Sequence, residues 1–196
     1  TATYATCAID EGGLLCWGNT SLTGAPFNRL SGKKIDALFG GYYSVCAIAE
    51  GEVHCFGTIV GTLDYYDTDN HVVLPNLTNP RQVAIGSNGV CALDDNGVSC
   101  FSSKTSTSKF KVPKNLTNIR GVAMTWYAAC VLADEGVRCF DTSQEYPTTK
   151  YPAMVAPEAL IAVYEMVCVL DEGTSKCFSP TGSTWVTPLK PAPLTK

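Results

Sequence analysis

The feature that most constrains this chain is the placement of its ten cysteines. They form five pairs, and the two members of every pair are nine residues apart. The first members of successive pairs follow at intervals of 39, 45, 39 and 38 residues. Such a period indicates a repeat protein in which one supersecondary unit recurs. The pairs are Cys7/Cys16, Cys46/Cys55, Cys91/Cys100, Cys130/Cys139 and Cys168/Cys177.

Each pair encloses a segment that predicts a β-hairpin, as in "CAIDEGGLLCWG". Ile9 lies two positions after Cys7 and shares its face under strand alternation. A two-residue turn at Glu11-Gly12 places Cys7 opposite Cys16 as a non-hydrogen-bonded pair, with Cα atoms about 4.5–5.5 Å apart. A disulfide accepts that distance. We therefore expect five hairpin disulfides, each contributing about 2–3 kcal/mol in the loop-entropy model.

A zinc site is the alternative use of paired cysteines. Zinc-binding pairs are separated by two to four residues, and this chain has no recurring histidines. The spacing of nine therefore disfavours zinc, and we expect neither a metal nor a cofactor.

Further strands are predicted around each hairpin. A short apolar segment precedes it at 83–86, 122–125 and 159–163, and a weaker one follows it at 109–113 and 184–188. Four antiparallel strands in about 40 residues are typical of a propeller blade, and we name them a, b, c and d from first to last. The predicted fold is thus an all-β, five-bladed β-propeller of four-stranded antiparallel blades, each with a b–c hairpin disulfide. It forms a single domain over 1–196, with hairpins at 7–16, 46–55, 91–100, 130–139 and 168–177.

Ring closure is expected from the alignment of the two ends. Leu194-Thr195 aligns with Leu77-Thr78, just before strand a, and Thr1 aligns with Met124 inside strand a. An open solenoid is the alternative, and it would leave unpaired strand edges that promote aggregation.

The blades "VAIGSNGVCALDDNGVSCFS" and "CAIDEGGLLCWGN" resemble the repeats of the regulator-of-chromosome-condensation propeller family. That pattern is a V-x-A-G strand, a C/T-x-A-L strand, a D-G turn and a strand ending in W-G-N. The family usually has seven blades, whereas this chain has five cysteine pairs. The family also carries a Gly-Gln-Leu-Gly segment after W-G-N, and that segment is absent from this chain. Its paired cysteines resemble those of extracellular variants, such as the ectodomains of crinkly-type plant receptor kinases. The resemblance implies a propeller fold and an extracellular recognition role.

The cellular compartment is predicted from the cysteines and the glycosylation sequons. Disulfides persist in oxidising compartments, and Asn19, Asn76 and Asn115 each begin an Asn-x-Ser/Thr sequon. Two of these recur at matching repeat positions, in "LPNLTN" and "PKNLTN". We expect a secreted glycoprotein. A net charge of -4 without a basic cluster disfavours a nucleic-acid partner, and no apolar run approaches the roughly 18 residues of a membrane span.

Candidate catalytic groups are few. Acidic doublets recur at the b–c turn, where Asp, Asn and Gly are favoured for backbone reasons, so we interpret them as turn residues rather than as catalytic or calcium-binding carboxylates. His54 and His71 are the only histidines, and we expect both at the surface. We therefore expect no enzyme activity. The doublets are Asp10-Glu11, Asp94-Asp95, Asp134-Glu135 and Asp171-Glu172.

Aromatic residues recur in the a–b loops, just before the first cysteine of a repeat. In a propeller these loops share one face, and the b–c turns and d–a connections share the other. Aromatic rings stack on sugars and anchor protein interfaces, although they could instead pack blade against blade. We predict lectin-like carbohydrate binding through this face. The alternative is that the chain binds an extracellular protein, as an inhibitor or as a receptor-ectodomain-like module. The predicted ligand-binding residues are Tyr4, Tyr42, Tyr43, Trp126, Tyr127 and Tyr164.

Overall fold

The computed structural model describes residues 5–10, 13–18, 30–41, 44–57, 71–87, 89–102, 109–148, 151–181 and 185–186. These residues form sixteen β-strands and no α-helix. Within them, no helix is long and apolar enough to cross a membrane. The strands are β1 Ala5–Asp10, β2 Gly13–Gly18, β3 Ile35–Gly40, β4 Ser44–Ala49, β5 Glu52–Gly57, β6 His71–Val73, β7 Gln82–Ile85, β8 Gly89–Asp94, β9 Gly97–Ser102, β10 Gly121–Met124, β11 Ala129–Ala133, β12 Gly136–Phe140, β13 Pro157–Val163, β14 Met166–Asp171, β15 Thr174–Phe178 and β16 Trp185–Val186.

The strands form five antiparallel sheets, one for each cysteine pair. Every sheet keeps its strands in chain order: β1-β2, β3 to β6, β7 to β9, β10 to β12, and β13 to β16. We call these sheets blades one to five. Strand a is β3, β7, β10 and β13 in blades two to five, and successive a strands lie next to each other. The strands predicted before the hairpins of blades three to five are therefore present.

The outer d strand departs from the prediction. It is present in blade two as β6 and in blade five as β16, which covers part of the predicted 184–188. The strand predicted at 109–113 is wrong, because these residues form no strand. The Lys111 amide instead donates to the Asp141 carbonyl at 2.7 Å, beyond the end of strand c of the next blade. This segment bonds to its neighbour instead of to its own sheet edge.

The hairpin register is the predicted one in all five blades. In blade one Asp10 pairs with Gly13, and Cys7 pairs with Cys16. The predicted disulfide pairing is confirmed, because each of the ten cysteines is bonded within its own hairpin and none is free. The five bonds are Cys7–Cys16, Cys46–Cys55, Cys91–Cys100, Cys130–Cys139 and Cys168–Cys177.

The spacing across these disulfides is smaller than predicted. The paired Cα atoms are 4.0–4.1 Å apart in all five hairpins, so the expected range of about 4.5–5.5 Å is wrong. Non-hydrogen-bonded pairs are already the closer kind of strand pair, and the covalent bond holds the two backbones closer still. The correction leaves the register unchanged.

Cys100 shows what the missing outer strand does to blade three. Its partner Cys91 is 0% exposed, whereas Cys100 is only half-buried. Cys100 lies on β9, the last strand of its sheet, and the fourth strand predicted at 109–113 does not pair with it. The four-stranded prediction for this blade is therefore wrong at the edge that carries Cys100, although its disulfide forms as expected.

Two kinds of tight turn produce the common register. In blade two Glu50 and Gly51 both have left-handed backbone angles, with φ of 52° and 80°, as a type I′ turn requires. In blade three the left-handed residue is Gly97, with φ of 111°, one position later, as in a turn followed by a glycine bulge. Both turns leave the cysteines directly opposed, so glycine can occupy either position in the repeat.

The blades pack through their two faces in a head-to-tail manner. Cys130 and Cys139 of blade four lie in one buried cluster with Val167, Val169 and Phe178 of blade five. Blades two and three pack in the same way, the disulfide face of the first against the opposite face of the second.

This packing explains the aromatic residue that follows the second cysteine of every repeat. It lies on the face opposite its own disulfide, and in blades two to five it packs towards the preceding blade. Phe56, Phe140 and Phe178 are fully buried in this way. The predicted meeting of the two chain ends falls on residues 1–4 and 187–196, outside the described residues, and stays a prediction.

Candidate functional site

In blades three to five, residues of the acidic doublets at the b–c turns bind the segment that leads into strand a. In blade three the Thr78 amide donates to Asp94 Oδ2 at 2.8 Å, and the Asp95 amide donates to the Thr78 carbonyl at 2.9 Å. Asn79 Nδ2 donates to Asp95 at 2.7 Å. The doublet therefore fixes the incoming chain to the turn, in keeping with a structural role.

Blades four and five repeat this arrangement with different residues. The amide and hydroxyl of Thr117 donate to the Glu135 carboxylate at 3.0 and 2.7 Å, which lowers the Glu135 pKa. In blade five Asp171 accepts from the Ala156 amide at 2.7 Å and from Lys176 Nζ at 2.5 Å. Lys176 lowers the pKa of Asp171 although burial would raise it. Within the described ranges, no group of three or more His, Cys, Asp or Glu side chains is placed to hold a metal ion.

The prediction that both histidines lie at the surface is wrong for His54, whose side chain is 4% exposed. His54 is adjacent to Cys55 in strand c, so alternation places it on the buried face opposite the disulfide. Its Nδ1 lies 3.1 Å from Nε2 of His71 on β6, and the two rings are nearly parallel. His71 also stacks on Phe56 with ring centroids 4.7 Å apart. The pair therefore joins the outer strand to the core.

The repeated sequons have a structural role of their own. Asn76 and Asn115 are exposed, with left-handed φ angles of 59° and 61°, a conformation that asparagine tolerates. Thr78 and Thr117 bind the turn carboxylates described above. Both sequons lie at the end of the blades that carries the b–c turns, as predicted, while Asn19 lies outside the described residues. Glycosylation of all three stays a prediction.

Trp126, Tyr127 and Tyr164 lie together at the opposite end, and we call them the aromatic patch. The rings of Trp126 and Tyr127 are stacked, with centroids 5.9 Å apart. The ring of Trp126 packs edge-to-face on that of Tyr164 in the next blade, with ring centroids 4.9 Å apart. Tyr127 and Tyr164 are 49% and 58% exposed, and Trp126 is half-buried. The other predicted members, Tyr4, Tyr42 and Tyr43, lie outside the described residues.

Hydrogen bonds between backbone groups hold the aromatic patch across three blades. The Trp126 amide donates to the Tyr164 carbonyl at 2.8 Å, and the Ser87 amide donates to the Trp126 carbonyl at 3.2 Å. The Ser87 hydroxyl donates to the same Trp126 carbonyl at 2.7 Å. At Gly86, a Cβ atom would lie only 2.6 Å from the Thr125 carbonyl oxygen. Sequence reasoning missed Ser87 and these contacts, although the glycine in the V-A-I-G strand was a signal of close approach.

Tyr164 has a left-handed backbone, with φ of 55°. This conformation is unfavourable for a bulky side chain and marks a position where the surroundings impose it. Tyr164 is the first residue of the two-residue turn between β13 and β14, which needs a left-handed residue. The turn thus holds an exposed tyrosine ring beside Trp126.

A groove lies near the b–c turn of blade four, between blades four and five. Its volume is about 610 Å³, and it is lined by Arg120, Glu135, Tyr151, Met154 and Glu158, among others. Burial raises the pKa of Tyr151 to about 12, and its ring packs on Phe178. Charged side chains of both signs line this groove.

Comparison with known proteins gives structural matches only. No family model matches the chain, and no curated protein matches it. The CRINKLY ectodomain of the Arabidopsis thaliana receptor kinase ACR4 is 18% identical, with a TM-score of 0.66 over 96% of this chain and 66% of that one. Prp20p from Saccharomyces cerevisiae is 15% identical, with a TM-score of 0.66 over 91% of this chain and 56% of that one. Human WBSCR16 is 15% identical, with a TM-score of 0.70 over 91% of this chain and 60% of that one.

The fold is that of a regulator-of-chromosome-condensation-type β-propeller. The resemblance drawn from the blade motifs is therefore confirmed at the level of the fold. The chain spans between about half and two thirds of the length of the propellers that it matches. Five blades and a closed ring stay predictions for this propeller.

Proposed function

We propose that the protein is an extracellular, non-catalytic recognition module that binds a protein partner through the aromatic patch. The observation that carries the proposal is the pair of exposed tyrosines, Tyr127 and Tyr164, held around Trp126 by backbone bonds between blades. Rigid, exposed aromatic side chains lose little entropy on binding and dominate many interfaces.

The asymmetry of the patch favours a protein over a repetitive glycan. The a–b loop of blade three contributes Ser87 and has no aromatic residue, so the feature does not recur in each blade. Multivalent glycan binding needs equivalent sites, whereas a protein surface matches an irregular one. Prp20p has a similar fold, and its binding properties to Gsp1p and histones have been described, which supports a protein partner for this chain by analogy of fold alone.

Carbohydrate binding is the second candidate. Trp126 and Tyr127 lie within 23° of parallel and form a platform beside the Tyr164 ring. Such a platform suits the C–H face of a sugar.

The extracellular and non-catalytic parts of the proposal have separate support. Five disulfides are typical of proteins from an oxidising compartment, and an extracellular location fits the receptor-kinase ectodomain among the matches. The carboxylates with lowered pKa, such as Glu135 and Asp171, are engaged in structural hydrogen bonds. Asp141 is similar: burial opposes ionisation, but hydrogen bonds from Tyr146, Ser143 and backbone amides lower its pKa.

The test is a binding screen with matched variants. The protein is immobilised and exposed to extracellular fluid from its source and, in parallel, to a glycan array. We expect a specific protein to be retained, and Tyr127→Ser and Tyr164→Ser each to weaken its affinity by at least about tenfold. Val155→Ser removes a side chain that is more exposed than either tyrosine but lies at the end carrying the b–c turns, and it should have no effect.

Each possible outcome bears on one part of the proposal. Retention of glycans alone, with the same sensitivity to the tyrosine variants, would favour the second candidate. Binding that neither tyrosine variant weakens would refute the role of the aromatic patch.

A further inference from the structure

The groove between blades four and five has an equivalent between blades three and four. Blades three and four are offset by 39 residues, so Arg120 corresponds to Arg81 and Asp134 to Asp95. The groove that Arg81 and Asp95 line measures about 280 Å³. The groove that Arg120 and Asp134 line measures about 610 Å³, and we call it the wide groove.

The two equivalent arginines differ in their partners. Arg81 donates from Nη1 to Asp95 Oδ1 at 3.2 Å and from Nη2 to the Asp94 carbonyl at 3.0 Å. Arg120 is exposed, and its guanidinium forms no hydrogen bond or ion pair with another described residue. Only its backbone amide is engaged, at 2.8 Å from the Leu132 carbonyl. An arginine carries five N–H donors, so all those of the Arg120 side chain are available to a ligand of the wide groove.

A second arginine of the wide groove has an unsatisfied donor. Arg138 binds Glu145 through Nη2, but its Nε–H is buried and has no hydrogen-bond partner. Such buried donors are rare in native proteins. After the hydrogen bonds from Thr117, the charge of Arg138 contributes to the lowered pKa of Glu135, which also lines the groove. Both arginines therefore favour a ligand with a carboxylate, which accepts from a guanidinium through two oxygens.

The acidic side chains of the wide groove determine which kind of anion can enter. Asp134 accepts from Asn118 Nδ2 at 3.2 Å, and Glu135 accepts from the Thr117 amide and hydroxyl. Glu158 is exposed and lines the same groove. These carboxylates would repel a polyanion such as a sulfated glycan, whereas a single carboxylate brings one charge to the two arginines.

Apolar side chains complete the wide groove. Val155 is 73% exposed, and Met154 and Pro157 are half-buried. The Tyr151 ring also lines the groove and packs on Phe178, with ring centroids 4.6 Å apart. A ligand gains free energy from this surface when it carries apolar side chains next to its carboxylate. A peptide segment in which apolar residues flank one carboxylate has that combination.

We propose that the wide groove binds such a peptide segment of a protein partner, with Arg120 as the principal contact to the carboxylate and Arg138 as a second donor. The carboxylate belongs to an Asp or Glu side chain or to the C-terminus of the peptide. The groove lies at the end of the blades that carries the b–c turns, opposite to the aromatic patch. This inference therefore does not depend on the function proposed for that patch.

The experiment is an array of short immobilised peptides exposed to the full 196-residue chain. Each acidic peptide is paired with its amide counterpart, with Asn for Asp and Gln for Glu, and is presented with a free and with an amidated C-terminus. Sulfated oligosaccharides are included as another class of anion. We expect acidic peptides with flanking apolar residues to be retained more strongly than their amide counterparts. Their affinity, measured by fluorescence polarisation, should fall as the salt concentration rises.

Matched variants assign the binding to the wide groove. Arg120→Gln should weaken the affinity for a retained peptide by at least about tenfold, because it removes charge-assisted hydrogen bonds. Arg81→Gln removes the equivalent arginine of the smaller groove and should leave the affinity unchanged. Val155→Ser should weaken it by about threefold through the loss of apolar contact. Tyr127→Ser changes only the aromatic patch and should have no effect on the peptide.

Several results would overturn the inference. Retention of no peptide, or of acidic peptides and amide counterparts equally, would remove the role of the carboxylate. Retention of sulfated oligosaccharides in place of peptides would assign a different class of ligand to the chain. A peptide affinity that Arg120→Gln leaves unchanged would place the binding outside the wide groove. Circular dichroism and a free-thiol count of zero verify that each variant is folded.

Discussion

The aromatic residue after the second cysteine offers a matched pair of substitutions, because the same repeat position is buried in one blade and exposed in another. Phe140 is fully buried in a cluster with Cys91, Leu93 and Val131. Its replacement by alanine removes all of that contact and leaves a cavity, which costs about 3–5 kcal/mol. Trp17 is about half exposed, so Trp17→Ala should cost at most about 1–2 kcal/mol.

Urea unfolding with intact disulfides measures this difference in the free energy of unfolding. The protein is kept dilute, so that contacts between copies do not contribute, and unfolding is followed by circular dichroism. We expect Phe140→Ala to lower the midpoint strongly and Trp17→Ala to lower it slightly, with unchanged slopes. Equal losses from both substitutions would refute the head-to-tail packing of the blades, because that packing alone distinguishes the two positions.

Three further predictions follow from the titratable groups and sequons. Burial, and secondarily the charge of Lys33, lowers the pKa of His54 below its ordinary 6.5, so on acidification the unfolded chain takes up a proton before the folded one does. The free energy of unfolding should therefore be fully retained above pH 6.5 and fall as the pH drops below it. In urea unfolding, His54→Gln should remove this pH dependence. Asp171→Asn loses the ion pair with Lys176 and weakens two hydrogen bonds from backbone amides. In thermal unfolding it should lower the free energy of unfolding by about 1–3 kcal/mol at neutral pH. Because the pKa of Asp171 is lowered from 3.8, the difference between variant and wild type should disappear below pH 3.8, and a difference that is unchanged at low pH would contradict the ionic cause. When the protein is secreted from eukaryotic cells, Asn76→Gln and Asn115→Gln should each lower its mass by that of one glycan. An unchanged mass would leave the sequons with only their structural role.

The hairpins could be predicted from the sequence because a local constraint determines them. A separation of nine with a two-residue turn brings Cys7 directly opposite Cys16, and no distant contact can alter that register. The a strands were also predictable, because strands such as β7 and β10 bury nearly continuous apolar segments at the centre of the stack.

Contacts between blades could not be predicted in the same way. The segment 109–113 has strand-like residues, but its backbone bonds to Asp141 of the next blade, and the sheet edge at Cys100 is left without it. His54 resembles a polar surface residue of a strand, but it is buried beside His71, which lies 17 residues further along on the outer strand β6. In both cases the deciding partner is distant in the chain and has no local signature.

The candidate site was predictable in composition and not in arrangement. The aromatic residues of the a–b loops are evident in the sequence. The backbone bonds that join Ser87, Trp126 and Tyr164 across blades depend on how closely neighbouring loops approach, which only the assembled stack determines.

Disulfide mapping tests the central claim most directly, since every face and register depends on pairing within each hairpin. Trypsin cleaves after Arg138 and Lys176, and these are the only Lys or Arg residues inside a hairpin pair. Without reduction, the digest should therefore contain the first three disulfides inside the single peptides 1–29, 35–81 and 82–104. The other two should link 121–138 to 139–150 and 151–176 to 177–196. A peptide that joins cysteines of different blades, or any free thiol, would contradict the account.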